Sequence, residues 1–381
     1  MSPNRLEQLH GNGQSIWLDY IDRAMLHDGD LARRIREDAV TGMTSNPTIF
    51  EKALAEGSAY DTQLSAAPAT LLPAALFELV ETDDVRAACD LFLPVYQSTN
   101  GEDGFVSIEV SPGVADDVEH TVAEARRLWE TVARPNVMVK VPGTVAGAAA
   151  VKQLIAEGIN VNITLLFDIE AHRRVIHAYI DGLEERDKAG GAIGGLASVA
   201  SFFVSRVDSE VDKRLEKLAA DAPQDARAAI LALRGKTAIA NAKLAYQLFR
   251  DTFEGRRWET LAKKGARVQR PLWASTSTKN PAYRDVMYVE ELIGPDTVNT
   301  LPPATLEAFR DHGECHRTID KDIVASREHF AALHLAGVDM GDVTAKLLVD
   351  GLASFQKSWD ALLAGLGGKR RVLEREAAAS K

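Results

Sequence analysis

The sequence of 381 residues has few cysteines and no long apolar segment. Only Cys89 and Cys315 occur, far apart and without the spacing of metal ligands, so neither a disulfide framework nor a zinc site is expected. The first 25 residues show no apolar run of the signal-peptide type, and no later stretch approaches the ~20 apolar residues of a membrane helix. These absences predict a cytoplasmic protein that has no membrane partner.

The sequence also lacks an excess of positive charge and a nucleotide-binding loop. Its formal net charge is −11, and nucleic acids are bound by clustered Lys and Arg, so a nucleic-acid partner is not expected. The glycines within residues 190–195 do not open a helix after a strand, which argues against nucleotide binding. A phosphorylated small molecule remains possible as a ligand, because one Arg and one Lys in a pocket can hold a phosphate whatever the net charge.

Short β-branched runs alternate with long amphipathic stretches, which is typical of βα units and a parallel sheet. We predict strands at residues 16–20, 40–46, 105–110, 136–141, 160–166, 196–204, 268–275 and 297–301. Helical spacing of apolar residues predicts helices at 118–132, 146–157, 169–186, 210–219 and 236–252. Eight such units in about 300 residues predict an α/β fold with a single (β/α)8 TIM barrel.

Two regions exceed what a barrel requires. Residues 71–96 have the pattern of an inserted helix between the second and third strands, and residues 322–366 form a helical region after the last strand. No Pro-rich or Ser-rich linker divides the chain. We therefore expect one domain over residues 1–366 and a charged, solvated tail over 367–381, while an oligomer is possible but not determined.

The fourth predicted strand carries a lysine that points into the barrel. In residues 137–141 the three valines share one face, so Met138 and Lys140 share the other. The same parity turns polar residues inward on the neighbouring strands: Ser107 and Glu109 on the third, Asn162 and Thr164 on the fifth. Three consecutive strands therefore direct polar groups at one interior.

Further polar residues end the first two strands. Asp19 ends the first strand, and Thr44 and Asn46 share a parity at the end of the second. These positions lie at the carboxyl ends of the strands, where barrel active sites are built. Because buried polar groups must all find partners, so many of them are costly for folding and indicate a functional site.

A buried lysine among carboxylates and amides suits covalent attack on a carbonyl. Burial of Lys140 favours the neutral amine that such an attack needs. Once an iminium forms, it can accept electrons from the adjacent carbon–carbon bond as that bond breaks. Glu109 and Asp19 are the candidates for moving protons, and the scheme requires neither a cofactor nor a metal ion.

The sixth and seventh strands end in residues that suit a phosphate. Ser201 and Arg206 belong to the end of the sixth strand, and Ser275 and Lys279 to the end of the seventh. Hydroxyls together with Lys or Arg supply the donors that phosphate accepts, and late loops are a frequent phosphate site in this fold.

Each of these residues also has a purely structural interpretation. The alternatives are a Lys140–Glu109 salt bridge, a helix cap or loop carboxylate at Asp19, a turn at Asn46, an ion pair of Arg206 with Asp208 or Asp212, and a solvated loop charge at Lys279.

Five segments in order resemble the signatures of the transaldolase family. They are IWLDY at 16–20, TGMTSNPT at 41–48, SIEV at 107–110, MVKVPGT at 138–144 and GINVNITL at 158–165. The resemblance extends from about residue 15 to the helix around residues 355–363, and the chain is most similar to the longer bacterial branch of the family. It implies a barrel whose Schiff-base lysine lies on the fourth strand, which is where our count of strands puts Lys140.

The resemblance also implies roles for individual residues. Asp19 would handle protons at the substrate hydroxyl, and Glu109 with Thr164 would hold a catalytic water. The implied contacts with substrate hydroxyls and phosphate are Asn46, Asn162, Ser201, Arg206 and Ser275, to which we add Thr44 and Lys279 from their positions. Ser277 stands where many members have an arginine, so Lys279 is the candidate for the missing charge.

The implied reaction is that of the non-oxidative pentose phosphate pathway, with phosphorylated sugars as the substrates. Sedoheptulose 7-phosphate and glyceraldehyde 3-phosphate would give erythrose 4-phosphate and fructose 6-phosphate. One alternative is an enzyme like fructose 6-phosphate aldolase, but those relatives carry an amide where transaldolases carry the acid represented here by Glu109. Another is an inert phosphosugar-binding barrel in which Lys140 and Glu109 form only a structural pair.

Overall fold

A computed structural model describes residues 4–55 and 57–379, and eight parallel strands close into one barrel in chain order. The strands are β1 (Gln14–Asp19), β2 (Val40–Thr44), β3 (Val106–Glu109), β4 (Val137–Pro142), β5 (Val161–Leu166), β6 (Ser198–Phe203), β7 (Gln269–Ala274) and β8 (Thr297–Leu301). Pairing of β1 with β8 completes the circle. The predicted (β/α)8 barrel is therefore confirmed, with strand ends that differ from prediction by no more than two residues.

Helices surround the barrel. They are α1 (Arg5–Gly11), α2 (Arg23–His27), α3 (Asp30–Glu37), α4 (Pro47–Ala55), α5 (Asp61–Ala66), α6 (Pro73–Ser98), α7 (Val118–Val132), α8 (Val145–Glu157), α9 (Ile169–Lys188), α10 (Ser205–Asp221), α11 (Gln224–Leu231), α12 (Thr237–Phe253), α13 (Arg256–Ala262), α14 (Met287–Glu290), α15 (Pro303–His312), α16 (Ile323–Leu335) and α17 (Met340–Ala379). The inserted helix predicted at 71–96 corresponds to α6.

Local capping fixes where the helices after β4 and β5 begin. Thr144 Oγ1 accepts a hydrogen bond from Gly147 N at 2.9 Å, and Asp168 Oδ1 accepts one from Ala171 N at 2.7 Å. Both acceptors follow their strands directly and satisfy an N–H group that the first helical turn leaves free. Each of these strands is therefore followed by a short turn, and its carboxyl end opens to the same face of the barrel.

The last helix, α17, is longer than the sequence indicates. It runs without a break from Met340 to Ala379, so the boundary predicted at residue 366 falls within it, and Ser380 and Lys381 lie outside the described residues. Near its end, Lys369 forms an ion pair with Asp61 at 2.8 Å, and Arg370 donates to the carbonyl of Leu71 at 3.0 Å. The segment predicted as a tail thus contacts the region between α4 and α6.

Within the described parts of the chain, none of the helices combines the length and apolar character needed to cross a membrane. Cys89 and Cys315 are both free, and Cys89 is buried.

Candidate active site

A cavity of about 410 Å³ opens at the carboxyl ends of the strands. Nine of the eleven residues predicted for the site line it: Asp19, Thr44, Asn46, Lys140, Thr164, Ser201, Arg206, Ser275 and Lys279. The other two, Glu109 and Asn162, pair with Lys140 in the registers of β3–β4 and β4–β5. The structure therefore brings all the predicted residues to one end of the barrel.

Lys140 is the most enclosed cation of this cavity, with 5% of its surface exposed. Its Nζ lies 3.1 Å from Glu109 Oε2 and donates to the backbone carbonyl of Ser45 at 3.1 Å. Burial raises the pKa of Glu109, the charge and hydrogen bonding of Lys140 lower it, and the charge of Asp19 raises it further. A carboxyl group with these opposing influences can exchange a proton with an amine at contact distance.

A chain of hydrogen bonds lies beside Lys140 in the barrel interior. Asn162 Nδ2 donates to Ser107 Oγ at 2.9 Å, and Ser201 Oγ donates to Asn162 Oδ1 at 2.7 Å. The three residues come from β3, β5 and β6, so the chain fixes the orientation of the Asn162 amide. A fixed amide of this kind can recognise a substrate hydroxyl.

Thr164 contributes a hydroxyl without a protein partner. Its Oγ1 is buried and makes no hydrogen bond among the described residues. The next residue, Leu165, has φ of +60°, a conformation that costs a non-glycine residue about 1–3 kcal/mol. The β5–β6 register also shifts between Ile163 and Leu166. The strained turn thus lies at the point where β5 presents Thr164 to the cavity.

Asp19 faces Thr44 across β1 and β2 at the cavity wall. Burial raises the pKa of Asp19, while the nearby charges of Lys140, Lys279 and Arg206 lower it. It does not cap the following helix, because Asp22 does so by accepting from Met25 N at 2.9 Å. Asp19 is therefore available for chemistry within the cavity.

Three cations border the outer part of the cavity: Lys52, Arg206 and Lys279. Burial lowers the pKa of Arg206, whose guanidinium lies 5.2 Å from the centre of the Phe203 ring, and the charge of Asp19 raises it. The pKa of Lys279 is lowered by withdrawal from water and by the charges of Arg206 and Lys52, against the effect of Asp19. This mutual repulsion favours an anion between them, as a phosphate group would be.

Arg206 lies in the first turn of α10 and not at a strand end. Asp208 accepts instead from Tyr288 Oη at 2.9 Å, and Asp212 accepts from Tyr283 Oη at 2.6 Å. The alternative in which Arg206 pairs with Asp208 or Asp212 is therefore not what the structure shows, because each of these carboxylates contacts a tyrosine.

The loop after β7 adds hydroxyls to the three cations. Ser275, at φ of +57°, has its Oγ 3.0 Å from Ser205 Oγ. Lys279 is exposed but lines the cavity and donates to Ser277 Oγ at 2.7 Å. Ser277, where the family resemblance led us to expect an arginine, thus accepts a hydrogen bond from Lys279, the candidate for the missing charge.

Asn46 has a structural and a possible binding role at once. Its Oδ1 accepts from Ile49 N at 3.0 Å, so it caps α4, and the residue also lines the cavity. The structure thus shows a helix cap where the sequence suggested a turn, and this cap does not exclude contact with a ligand.

Sequence reasoning missed two residues of the cavity that matter for its shape and charge. Lys52 lies on α4, a helix that we did not predict, and Phe355 lies on α17, far along the chain from every predicted site residue. The spacing of basic residues gave no signal for Lys52. The resemblance reached the helix of Phe355 without indicating that it borders the site.

Within residues 4–55 and 57–379, no group of three or more His, Cys, Asp or Glu side chains is arranged to hold a metal ion. The polar side chains that line the cavity carry amines, the Arg206 guanidinium, the Asn46 amide, hydroxyls and the Asp19 carboxyl group.

Comparison with known proteins identifies the family of the chain. The sequence profile of the family described as Transaldolase/Fructose-6-phosphate aldolase matches residues 16–366. The chain is 50% identical to a Transaldolase of Thermobifida fusca over 364 residues, which cover 94% of this chain and 96% of the relative. It is 47% identical to a Transaldolase of Mycolicibacterium smegmatis, with coverage of 97% and 98%, and 45% identical to Transaldolase 2 of a Nostoc species, with coverage of 98% and 99%. The family indicated by the five sequence segments is confirmed, and the chain belongs to the transaldolase and fructose-6-phosphate aldolase family.

Proposed function

We propose that the chain catalyses the transaldolase reaction through a Schiff base on Lys140. It transfers a dihydroxyacetone unit from sedoheptulose 7-phosphate to glyceraldehyde 3-phosphate and yields erythrose 4-phosphate and fructose 6-phosphate. The observation that carries the proposal is the buried Lys140–Glu109 pair, 3.1 Å apart, beside a cavity bordered by three cations. Relatives named Transaldolase, at 45–50% identity over nearly their full lengths, support the same activity.

The first step is attack of the Lys140 amine on the ketose carbonyl. Glu109 takes the proton that the ammonium must lose and returns one to the carbinolamine hydroxyl, which leaves as water. Its raised pKa suits both directions of this exchange. Thr164, whose hydroxyl has no protein partner in the described chain, holds that water together with Glu109.

The second step is cleavage of the bond between C3 and C4 of the ketose. Asp19 removes the proton of the C4 hydroxyl, the C4 carbonyl forms, and the bonding electrons move into the iminium to give an enamine. The aldehyde then leaves and the acceptor aldehyde takes its place. The same steps in reverse join the three-carbon unit to the acceptor and free the lysine.

Binding residues hold the sugar in register with the amine. Asn162 and Ser201, already linked by a hydrogen bond of 2.7 Å, contact the hydroxyls of the transferred unit, as do Asn46 and Thr44 at the opposite wall. Arg206, Lys279 and Ser275 bind the phosphate. The proposed chemistry uses no cofactor and would serve the non-oxidative pentose phosphate pathway in the cytoplasm.

Two alternatives to the transferase, an aldolase and an inert sugar-binding barrel, would differ from it in product and in covalent chemistry. An aldolase would release free dihydroxyacetone, and the acid at position 109 argues against it because the related aldolases resemble this layout with an amide there. An inert sugar-binding barrel would form no covalent adduct. The arrangement of a carboxyl group at contact distance from the buried amine favours the transferase.

The decisive experiment combines a coupled assay with trapping of the adduct. With sedoheptulose 7-phosphate as donor and EDTA present, we expect fructose 6-phosphate only when glyceraldehyde 3-phosphate is added. Borohydride should trap the donor on Lys140, and Lys140→Ala should fold but lose both the adduct and at least about a thousandfold in turnover. Product formation by Lys140→Ala at the wild-type rate would overturn the proposal, and adduct formation without transfer would indicate an aldolase.

A further inference from the structure

The helix α17 contributes one aromatic ring to the candidate active site. Phe355 lines the cavity that contains Lys140, and only 5% of its surface is exposed. It belongs to a buried stripe along α17 with members at Gly351, Phe355, Leu362 and Leu366. Since these positions recur every four or seven residues, they lie on one face of the helix, and α17 packs on α4, α6, α10 and the end of β5.

Close packing at Gly351 holds α17 against the end of β5. A Cβ atom added to Gly351 would lie 2.9 Å from Leu165 Cδ2 and 3.7 Å from Arg206 Nη1. The first distance is too short for a side chain unless Leu165 shifts. Leu165 directly follows Thr164, so the position of α17 is linked to two residues of the candidate site.

A second contact holds α17 on the other side of Phe355 along the helix. Thr48 Oγ1 donates to Ser358 Oγ at 2.8 Å and joins α17 to α4. The helix α4 is capped by Asn46 and carries Lys52, both of which line the cavity. Phe355 lies between Gly351 and Ser358 in the sequence, so the segment of α17 that carries it is anchored at two points.

The proposed enamine intermediate on Lys140 has two possible fates, and water decides between them. It can attack the acceptor aldehyde, which is transfer. It can also take a proton at C3 to become an iminium, to which water adds; the carbon–nitrogen bond then breaks and free dihydroxyacetone and the lysine amine are released. An apolar wall that excludes water disfavours the second fate.

We propose that Phe355 is a specificity-determining residue that retains the three-carbon unit for transfer by closing the cavity to water. Phe203, another ring of the cavity, lies 5.2 Å from the Arg206 guanidinium and so belongs to the phosphate end. Phe355 instead comes from a helix outside the βα repeats, which contacts both β5 and α4. The inference rests on the proposed function, because it requires a covalent intermediate.

The test compares Phe355→Ala with Phe355→Leu and with a control on the same helix. Leu352 is the control, because it is partly buried on α17 but lines a separate, mainly apolar groove of about 1120 Å³ that does not include Lys140. The measured quantity is the ratio of free dihydroxyacetone to fructose 6-phosphate formed. We expect Phe355→Ala to raise this ratio about tenfold, Phe355→Leu to restore most of the wild-type value, and Leu352→Ala to leave it unchanged. An unchanged ratio in folded Phe355→Ala would overturn the inference, as would an equal rise in Leu352→Ala.

A matched pair of glycines keeps the inference testable if Phe355→Ala does not fold. Gly351→Ala forces Leu165 or α17 to move and should raise the same ratio, whereas Gly365→Ala on the same helix meets no atom within 4 Å and should not. Equal product ratios in the two variants would contradict the proposal that the position of α17 and Phe355 controls the release of free dihydroxyacetone. Failure of the proposed function looks different, because the wild-type protein itself would then give no borohydride adduct and no transfer.

Discussion

At the scale of single residues, we expect Glu109 to decide between transfer and hydrolysis. Glu109→Gln keeps the shape of the side chain but removes the acid that, in the proposed mechanism, exchanges protons with Lys140 across 3.1 Å. We expect transfer to slow by about a hundredfold, because general acid–base catalysis contributes on that order, and free dihydroxyacetone to form a larger share of the product. The assay measures both products with and without acceptor. A variant with the wild-type ratio of the two products would contradict the assigned role.

Glu81 on α6 is a second buried carboxyl group near this pair, and its effect on stability depends on pH. Burial and the charges of Glu109, Glu124 and Glu78 raise its pKa well above the ordinary value of 4.5, against the effect of Lys140. Above that ordinary value the folded state binds more protons than the unfolded state, so this group lowers the stability as the pH rises.

Glu81→Gln removes the loss of stability that ionisation of Glu81 causes as the pH rises. We expect the variant to be more stable than the wild type at neutral pH, by a margin that grows as the pH rises above the ordinary pKa of Glu and vanishes as the pH falls below it. Urea unfolding at several pH values measures the margin. Glu130→Gln, at an exposed position on α7, is the control and should show no such growth. A margin that is constant with pH would mean that Glu81 does not titrate in this way.

The alternation of side chains along the strands was sufficient to predict which residues of the candidate site point into the barrel. Lys140, Glu109 and Asn162 occupy adjacent register positions because side chains alternate along strands whose outer faces are apolar. Lys52, Glu81 and Phe355 could not be found this way. They lie on helices, and their approach to the barrel depends on tertiary packing that no local pattern records.

At the scale of elements, the loop between α6 and β3 is tied to the amino ends of the strands by one aspartate. Asp103, 4% exposed, accepts from Trp17 Nε1 at 2.8 Å and from the hydroxyl of Ser15, and it lies 3.6 Å from Arg270. These partners come from β1 and β7. The network therefore joins two strands and a loop at the end of the barrel opposite the candidate active site.

Asp103→Ala should destabilise the barrel by about 3 kcal/mol, because it removes the acceptor of the buried Trp17 indole N–H and of the Ser15 hydroxyl, together with the negative charge beside Arg270. The activity of each folded molecule should be unchanged. Urea unfolding and the turnover number measure the two effects, with Asp225→Ala, at an exposed position on α11, as control. A loss of under about 1 kcal/mol would show that water replaces the missing carboxylate effectively.

The elements themselves were predicted unequally. The eight strands emerged because each is a short β-branched run between turns. The helices α4 and α5 were missed because they are short, with nine and six residues, and lie inside a segment interpreted only as a long connection. The start of α10 was set five residues too late, which put Arg206 on the strand side of the boundary.

At the scale of the whole molecule, the end of α17 contributes to stability from outside the predicted domain. Lys369 also donates to Gly57 O at 2.7 Å, and Arg370 donates to Pro68 O at 2.6 Å. These bonds hold the loops around α5. We expect a chain that stops after residue 366 to lose about 1–2 kcal/mol of stability while its turnover number changes little, because the contacts are partly exposed and lie away from Lys140.

A chain that stops after residue 371 is the matched control, since it keeps Lys369 and Arg370 but loses the remaining residues of the helix. Thermal unfolding of both truncated proteins measures the difference. Equal unfolding temperatures would mean that the two side chains contribute nothing, and the predicted description of a solvated tail would then hold for stability.

The pairing of β1 with β8 has a consequence for protein synthesis. Gln14 lies opposite Thr297 in the closed barrel, so the first strand to leave the ribosome waits for the last strand before its edge is covered. An uncovered strand edge is a template for association with other chains, and nascent domains are exposed to such errors while they are incomplete. The helix α17, with Phe355, is translated later still. A nascent chain therefore possesses the proposed Schiff-base lysine before it possesses the ring that we propose controls what this lysine releases.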